Sequence, residues 1–252
     1  MQKKSDYTRP RRLLAEFAGT FFVVLASAIA SAFAPLTTDR TAVPLPLQLT
    51  PFAAAIAYGL AYAAAIAALG RTSGGHFNPA VTIAHWVTRR FGPFDTIVYC
   101  AAQLAGSVAA AYLLRLLLPV GSSLLLLSVP ILAAGITRGT AMLIDAAMTF
   151  ALVFALWVTV VHRAAPRYWL AGLVSGAVVA AAVFLGGPYT GGAMNPARAF
   201  GPALAAHQWA YQPVYWIGPL AGSVAAASLY DLLFHRAHGH SLPRKLSEQT
   251  TP

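Results

Sequence analysis

Six runs of apolar residues, near 13–34, 49–69, 97–118, 140–161, 168–186 and 212–234, constrain this chain more than any other feature in it. Each approaches the roughly 20 residues that cross the hydrocarbon core of a bilayer as a helix. Composition agrees, since 58% of the 252 residues are hydrophobic and 10% are charged, against about 25% charged in an ordinary soluble domain. A seventh run, Leu124–Ala134, is too short to span and sits between Gly121-Ser122-Ser123 and Gly135, so it reads as an interfacial loop. The first run ends in Ser31-Ala32-Phe33-Ala34, similar to a signal-peptide cleavage site. It is longer than a usual signal core, has Glu16 at its head and has a counterpart later in the chain, so no cleavage is expected.

A formal charge of +10 invites a nucleic-acid reading, and its distribution argues against one. Lys3, Lys4, Arg9, Arg11 and Arg12 precede the first span; Arg71, Arg89 and Arg90 follow the second. Arg163 and Arg167 lie between the fourth and fifth, and Arg236, Arg244 and Lys245 follow the sixth. All of these fall on one side of a six-span topology, which leaves only Arg40, Arg115, Arg138 and Arg198 for the other. The positive-inside rule then puts both termini in the cytoplasm. The expectation is a multi-pass protein of a plasma or inner membrane with the lipid bilayer, not nucleic acid, as its partner. The single cysteine, Cys100, excludes an internal disulfide.

The chain is also a duplicated unit. Gly74-Gly75-His76-Phe77-Asn78-Pro79-Ala80 recurs as Gly191-Gly192-Ala193-Met194-Asn195-Pro196-Ala197, and Ala105–Ala111 recurs identically as Ala221–Ala227. Glu16 and Thr20 pair with Asp145 and Thr149 at the same spacing. Repeat one covers about 11–118 and repeat two about 139–235 of one channel domain, with tails at 1–10 and 236–252. Three spans per repeat is an odd number, so the second repeat enters the membrane upside down, an arrangement that places a solute path between the halves. Stripes of small residues every fourth position (Ala55, Gly59, Ala63, Ala67; Gly172, Gly176, Ala180; Gly218, Gly222, Ala226) allow the close helix approach that packing in lipid needs.

Only two asparagines occur, and Pro-Ala follows both. With 17 Pro in 252 positions, chance places Pro after both about 0.5% of the time. Asn is a strong helix N-cap and Pro suits the first helical position, so each motif predicts a helix, from Pro79 to about Trp86 and from Pro196 to about Ala205. Eight to ten residues span roughly 12–15 Å, about half the hydrocarbon core. Two such half-helices entering from opposite faces meet near the midplane, N-terminus to N-terminus. The glycine-rich segments before them (Gly74, Gly75 and His76; Gly191 and Ala193) are non-helical, which lipid tolerates only where backbone lines a watery cavity. The fold class is therefore an all-α membrane protein with six transmembrane helices, two re-entrant half-helices and an inverted 3+3 repeat around a central pore.

Paired Asn-Pro-Ala loops in a six-span inverted repeat resemble the aquaporin, or major intrinsic protein, family across about residues 11–235. Gly186–Ala203 is especially similar to the plant-vacuolar and ammonia-permeable branches. The resemblance implies a homotetramer with one pore per subunit, Asn78 and Asn195 aimed at a single file of water, no enzyme activity, no cofactor and no metal. It also implies a selectivity filter at Tyr58, Val183, Gly192 and Arg198, by their spacing from the two asparagines. Strict water channels of the family carry Phe, His, a small polar residue and Arg there, and glycerol channels Trp, Gly, Phe and Arg. This filter matches neither: Val183 replaces a polar histidine and Gly192 removes a side chain, while Tyr58 supplies an aromatic wall and a hydroxyl. Ala199, Ala203, Tyr215 and Trp216 resemble the water-channel pattern. Water is thus the expected solute, with ammonia and hydrogen peroxide beside it; a glycerol-type facilitator and a secondary transporter are the alternatives.

Elementary electrostatics favours neutral solutes. A helix N-terminus carries about half a positive charge, which at 5 Å and an effective dielectric near 20 repels a cation by about 1.7 kcal/mol. Two such ends and Arg198 give at most about 6–7 kcal/mol. Glu16 and Asp145 read either as a proton relay or as acceptors for the loop backbone, and their symmetric placement favours the second. His76 reads as loop packing rather than a pH sensor, and His235, His238 and His240 as a basic tail rather than a metal site. No catalytic constellation is present in the sequence.

Overall fold

The computed structural model describes residues 7–33, 50–118, 124–161 and 166–234. Lys3, Lys4, Arg40, Arg163, Arg236, Arg244, Lys245 and the three tail histidines lie outside them. Among the described residues, six helices are long and apolar enough to cross a membrane: α1 (Arg9–Phe33), α2 (Pro51–Ser73), α4 (Pro93–Leu117), α6 (Arg138–Leu156, prolonged by a π-helical turn, Trp157–Val161), α7 (Tyr168–Thr190) and α9 (Gln212–Phe234). Two short helices follow the asparagines, α3 (Pro79–Val87) and α8 (Pro196–Ala206), and α5 is a single turn, Leu124–Ser128.

Local chemistry sets the starts. Thr50 and Thr137 cap α2 and α6, each hydroxyl accepting a backbone N–H three residues on at 3.1 Å, while proline opens α2, α3, α4 and α8. The observed spans reach up to four residues beyond the apolar runs. Capping and the helical register extend a helix into the headgroup region, where hydropathy alone stops.

The halves pack by matching pairs. Helix α1 packs on α2 and α4, α6 on α7 and α9, and α2 meets α7 at the junction between the halves. There a Cβ on Gly59 would strike the Gly176 carbonyl, and one on Gly176 the Gly59 carbonyl. Gly106 lies equally close to the Phe17 backbone and Gly222 to Ala146. Half-helix α3 packs on α9 and α8 on α4, so each half-helix is seated on the last span of the other half.

The sequence expectation of an interfacial loop at Leu124–Ala134 is corrected over its first five residues, while 129–134 is non-helical. Leu124–Ser128 is helical, Ser128, Val129 and Pro130 are buried, and this turn packs on α1 and α8. Leu124 packs with Ala32 and Phe33 of α1 while Leu126 stays half-exposed, a tertiary contact that a short apolar run does not announce.

Candidate functional site

Both loops follow one backbone path. Gly74 (φ 102°) ends α2 and Gly191 (φ 76°) ends α7 in the left-handed conformation. Gly75 and Gly192 repeat it, and so do Phe77 (φ 47°) and Met194 (φ 53°), where no glycine relieves the Cβ penalty. Such residues cost about 1 kcal/mol or more and gather at functional sites. Here they aim two carbonyls across the molecular pseudo-twofold. Phe77 O accepts from Asn195 Nδ2 and Met194 O from Asn78 Nδ2, both at 2.9 Å.

The asparagine oxygens complete the caps, Asn78 Oδ1 accepting from Ala80 N and Asn195 Oδ1 from Ala197 N at 2.9 Å. Pro79 and Pro196 take the first helical positions. The two N-termini therefore meet, and each amide is held at both ends. An amide nitrogen carries two N–H donors, and the second of each has no protein acceptor among the described residues.

Behind each loop sits a fully buried acid. Glu16 accepts from Ser73 Oγ (2.6 Å), His76 N (3.1 Å), Phe77 N (2.8 Å) and Gln103 Nε2 (2.7 Å). Asp145 accepts from Thr190 Oγ1 (3.3 Å) and Met194 N (3.2 Å). A hydroxyl extends each contact to a glycine, Gly75 N donating to Ser73 Oγ and Gly192 N to Thr190 Oγ1, both at 3.2 Å. Loop N–H groups that would otherwise be orphaned at membrane depth thus have acceptors.

The four residues expected to form a filter lie around loop two. A Cβ on Gly192 would lie 3.3 Å from Val183 Cγ2, so these two are neighbours. Tyr58 donates its hydroxyl to Ala193 O at 3.1 Å. The hydroxyl proton expected to serve a solute is therefore already spent, because α2 lies close enough for the phenol to reach the loop. Arg198 is 1% exposed; its Nη1 donates to Ser128 O (3.0 Å) and its Nη2 to Ser31 Oγ (2.7 Å), and its Nε has no partner among the described residues.

Sequence reasoning missed several residues that shape this site. Tyr62, one turn beyond Tyr58 on the same face of α2, donates to His76 O at 3.4 Å; the i, i+4 tyrosine pair was the available signal. Tyr99 donates to Ser73 O at 2.9 Å, the first-repeat equivalent of Tyr215, already singled out in the sequence, which donates to Thr190 O at 2.8 Å. Ser31 and Ser128 orient Arg198 from α1 and α5, and nothing local in the sequence marks them.

The chain matches the family described as Major intrinsic protein across residues 3–230. It is 41% identical over 247 residues to "Aquaporin TIP4-4" of Zea mays, covering 96% of this chain and 94% of that one. It is 43% identical over 183 residues to "Probable aquaporin TIP3-2" of Oryza sativa subsp. japonica, covering 71% and 66%. Its fold is similar to the X-ray structure of the aquaglyceroporin from Plasmodium falciparum, with a TM-score of 0.73 at 22% identity over 89% of this chain and 96% of that one. With the paired Asn-Pro-Ala caps meeting between two inverted halves, and with relatives this similar over nearly its whole length, the chain belongs to the aquaporin (major intrinsic protein) family of membrane channels.

Proposed function

We propose that each subunit conducts water passively through the path between Asn78, Asn195 and Arg198, admits ammonia and hydrogen peroxide, and excludes ions and protons. The observation that carries this reading is the reciprocal asparagine pair. One N–H of each amide is spent across the pseudo-twofold and one remains. A water that accepts from both remaining donors directs its own hydrogens outward, which interrupts the donor–acceptor chain a proton would follow. Two helix N-termini and Arg198 add a positive field against cations.

Val183 and Gly192 add no polar side chain to the filter, and Tyr58 has already given its hydroxyl proton to Ala193 O. Such a filter demands few hydrogen bonds from a solute, which favours ammonia and peroxide, while the Tyr58 ring obstructs the longer carbon chain of glycerol. Glu16 and Asp145 are occupied by loop donors, which supports a structural role over ion coupling. The two repeats form one channel domain, four copies assemble as a homotetramer, and both termini face the cytoplasm. The likeness to vacuolar branches sets an internal membrane beside the plasma or inner membrane expected from charge, a choice that fractionation decides.

Stopped-flow measurements on proteoliposomes test the reading. Osmotic water flux should show a low activation energy, ammonia and peroxide should pass, glycerol should pass weakly, and no ionic current should accompany them. Val183→His should cut ammonia and peroxide flux about fivefold and water less than twofold. Flux that saturates and follows a proton or Na⁺ gradient would identify a transporter instead.

A further inference from the structure

Ser107 lies on α4, is fully buried, and reaches into the backbone of half-helix α8. Its hydroxyl donates to Ala197 O and accepts from Gly201 N at 3.1 Å. Those two atoms are the carbonyl and the N–H four residues on that an α-helix pairs with each other. A side chain of a transmembrane helix thus bridges one rung of the half-helix ladder. Gly201 makes the approach possible, since a Cβ there would strike both the hydroxyl and the carbonyl of Ser107.

The next rung is missing. It would join Arg198 O to residue 202, and Pro202 has no N–H to give. The bridged rung begins at the residue before Arg198 and the missing one at Arg198 itself, so the ladder is irregular where the guanidinium departs. Inserted side chains and prolines are common causes of a bend in a helix, and the course of this turn is therefore set by Ser107 as well as by the helix. Further along α4, Arg115 Nη1 donates to Ala205 O at 3.0 Å and ties the other end of α8 to the same span.

The other half of the molecule carries the control. Ser223 occupies the same place in an identical heptapeptide, Ala221–Ala227, yet its hydroxyl donates at 2.9 Å to Leu220 O of its own helix. Half-helix α3 has Ala84 where α8 has Gly201, His85 where it has Pro202 and Val81 where it has Arg198. Bridging hydroxyl, glycine, proline and arginine occur together in one half, and none of them in the other. Anchoring alone does not account for the bridge, because α3 is seated on α9 without one.

We infer that Ser107 is a positioning residue for Arg198, fixing through the bridged turn where the guanidinium stands and so how large a solute passes. From the backbone so placed, Arg198 reaches Ser128 O and Ser31 Oγ together. Without the hydroxyl, Ala197 O and Gly201 N are left to pair with each other, the turn straightens, and the guanidinium loses its single placement. The inference rests on the filter reading above, in which Arg198 borders the path, and adds the residue that holds it there.

The test uses the full chain in proteoliposomes, with water and glycerol entry followed by light scattering and thermal unfolding followed in detergent. Ser107→Ala should raise the glycerol-to-water permeability ratio about fivefold, the population shift that one net hydrogen bond governs, while water flux stays within about twofold of the parent. Ser107→Cys keeps the volume with a weaker donor and acceptor; it should fall between the two and carries the test if the alanine variant does not assemble. Ser223→Ala should leave the ratio unchanged. Arg198→Val should raise the ratio at least as far as Ser107→Ala, and adding Ser107→Ala to it should change nothing more. A ratio unchanged in both Ser107 variants, with stability and both fluxes falling together, would reduce the hydroxyl to an anchor. A further rise in the double variant would mean that Ser107 acts without Arg198, which overturns the inference and leaves the filter standing. An Arg198→Val variant with the parent's ratio overturns the filter reading, and this one with it.

Discussion

Loop one, 74–78, and loop two, 191–195, share left-handed turns, proline-opened helices and tyrosine braces, yet the material behind them differs. Behind loop one, Gln103 joins Glu16 to Thr82, and Thr82 bonds His76, an unbroken polar network. The repeat places Pro219, Ala199 and Ala193 at the positions equivalent to Gln103, Thr82 and His76. None of these side chains can donate or accept, and Asp145 is left with fewer and longer contacts than Glu16. Conversely, Val81 of α3 corresponds to Arg198 of α8. One backbone thus carries two side-chain sets: the first half keeps its polarity behind the loop as scaffold, and the second places a guanidinium, Arg198, on its half-helix. Loop two compensates with braces of its own, from Tyr58 to Ala193 O and from Ala133 N to Tyr189 O.

The largest expected consequence is an asymmetry between the acids. Glu16→Ala leaves four donors without an acceptor, two of them backbone N–H groups, and should cost on the order of 4 kcal/mol at about 1–3 kcal/mol for each unanswered group, softened by relaxation. Asp145→Ala should cost about half that. Thermal unfolding of the purified protein in detergent measures both, and equal or reversed losses would break the comparison. Next in size is Gln103→Met, which keeps the volume and removes two bonds, to Glu16 and Thr82. It should cost about 2 kcal/mol, and a double-mutant cycle with Thr82→Ala should return a coupling of about 1 kcal/mol. Coupling near zero would mean that the contacts are independent and no network exists.

How much of this the sequence disclosed depends on whether the signal is local. The half-helices were legible because Asn-Pro sets both a cap and a first turn within two residues, and their observed ends lie within one residue of expectation. The spans were legible because lipid leaves a helix few alternatives. The repeat, by contrast, misleads where it is most literal. Ala105–Ala111 and Ala221–Ala227 are identical, yet Ser107 Oγ donates to Ala197 O and accepts from Gly201 N of half-helix α8, whereas Ser223 Oγ donates to Leu220 O of its own helix. The difference lies in the partner: Gly201 lets α8 touch the Ser107 backbone, and Ala84 stands at the equivalent place in α3. Ser31 and Ser128 were hidden for the same reason, since each acquires its contacts from elements distant in the chain.

The smallest effect concerns the two tyrosines of α2, which divide their attention between the loops. Tyr58 donates to Ala193 O at 3.1 Å and Tyr62 to His76 O at 3.4 Å, so each holds the carbonyl two residues before an asparagine. Tyr58→Phe keeps the aromatic wall and frees Ala193 O. The expected cost is about 1 kcal/mol, near the net worth of one hydrogen bond. The released carbonyl becomes an acceptor beside Gly192 and Val183, where the filter otherwise offers little. An added acceptor favours water over ammonia, so the ammonia-to-water ratio should fall, about twofold, with glycerol passage still weak because the ring remains. Tyr62→Phe breaks a longer bond to a loop that Glu16 already holds firmly, and should cost less than about 0.5 kcal/mol with no change in selectivity. If Tyr62→Phe shifts solute preference and Tyr58→Phe does not, loop one rather than loop two carries the filter, and the division of labour between the halves is the reverse of the one drawn from their side chains.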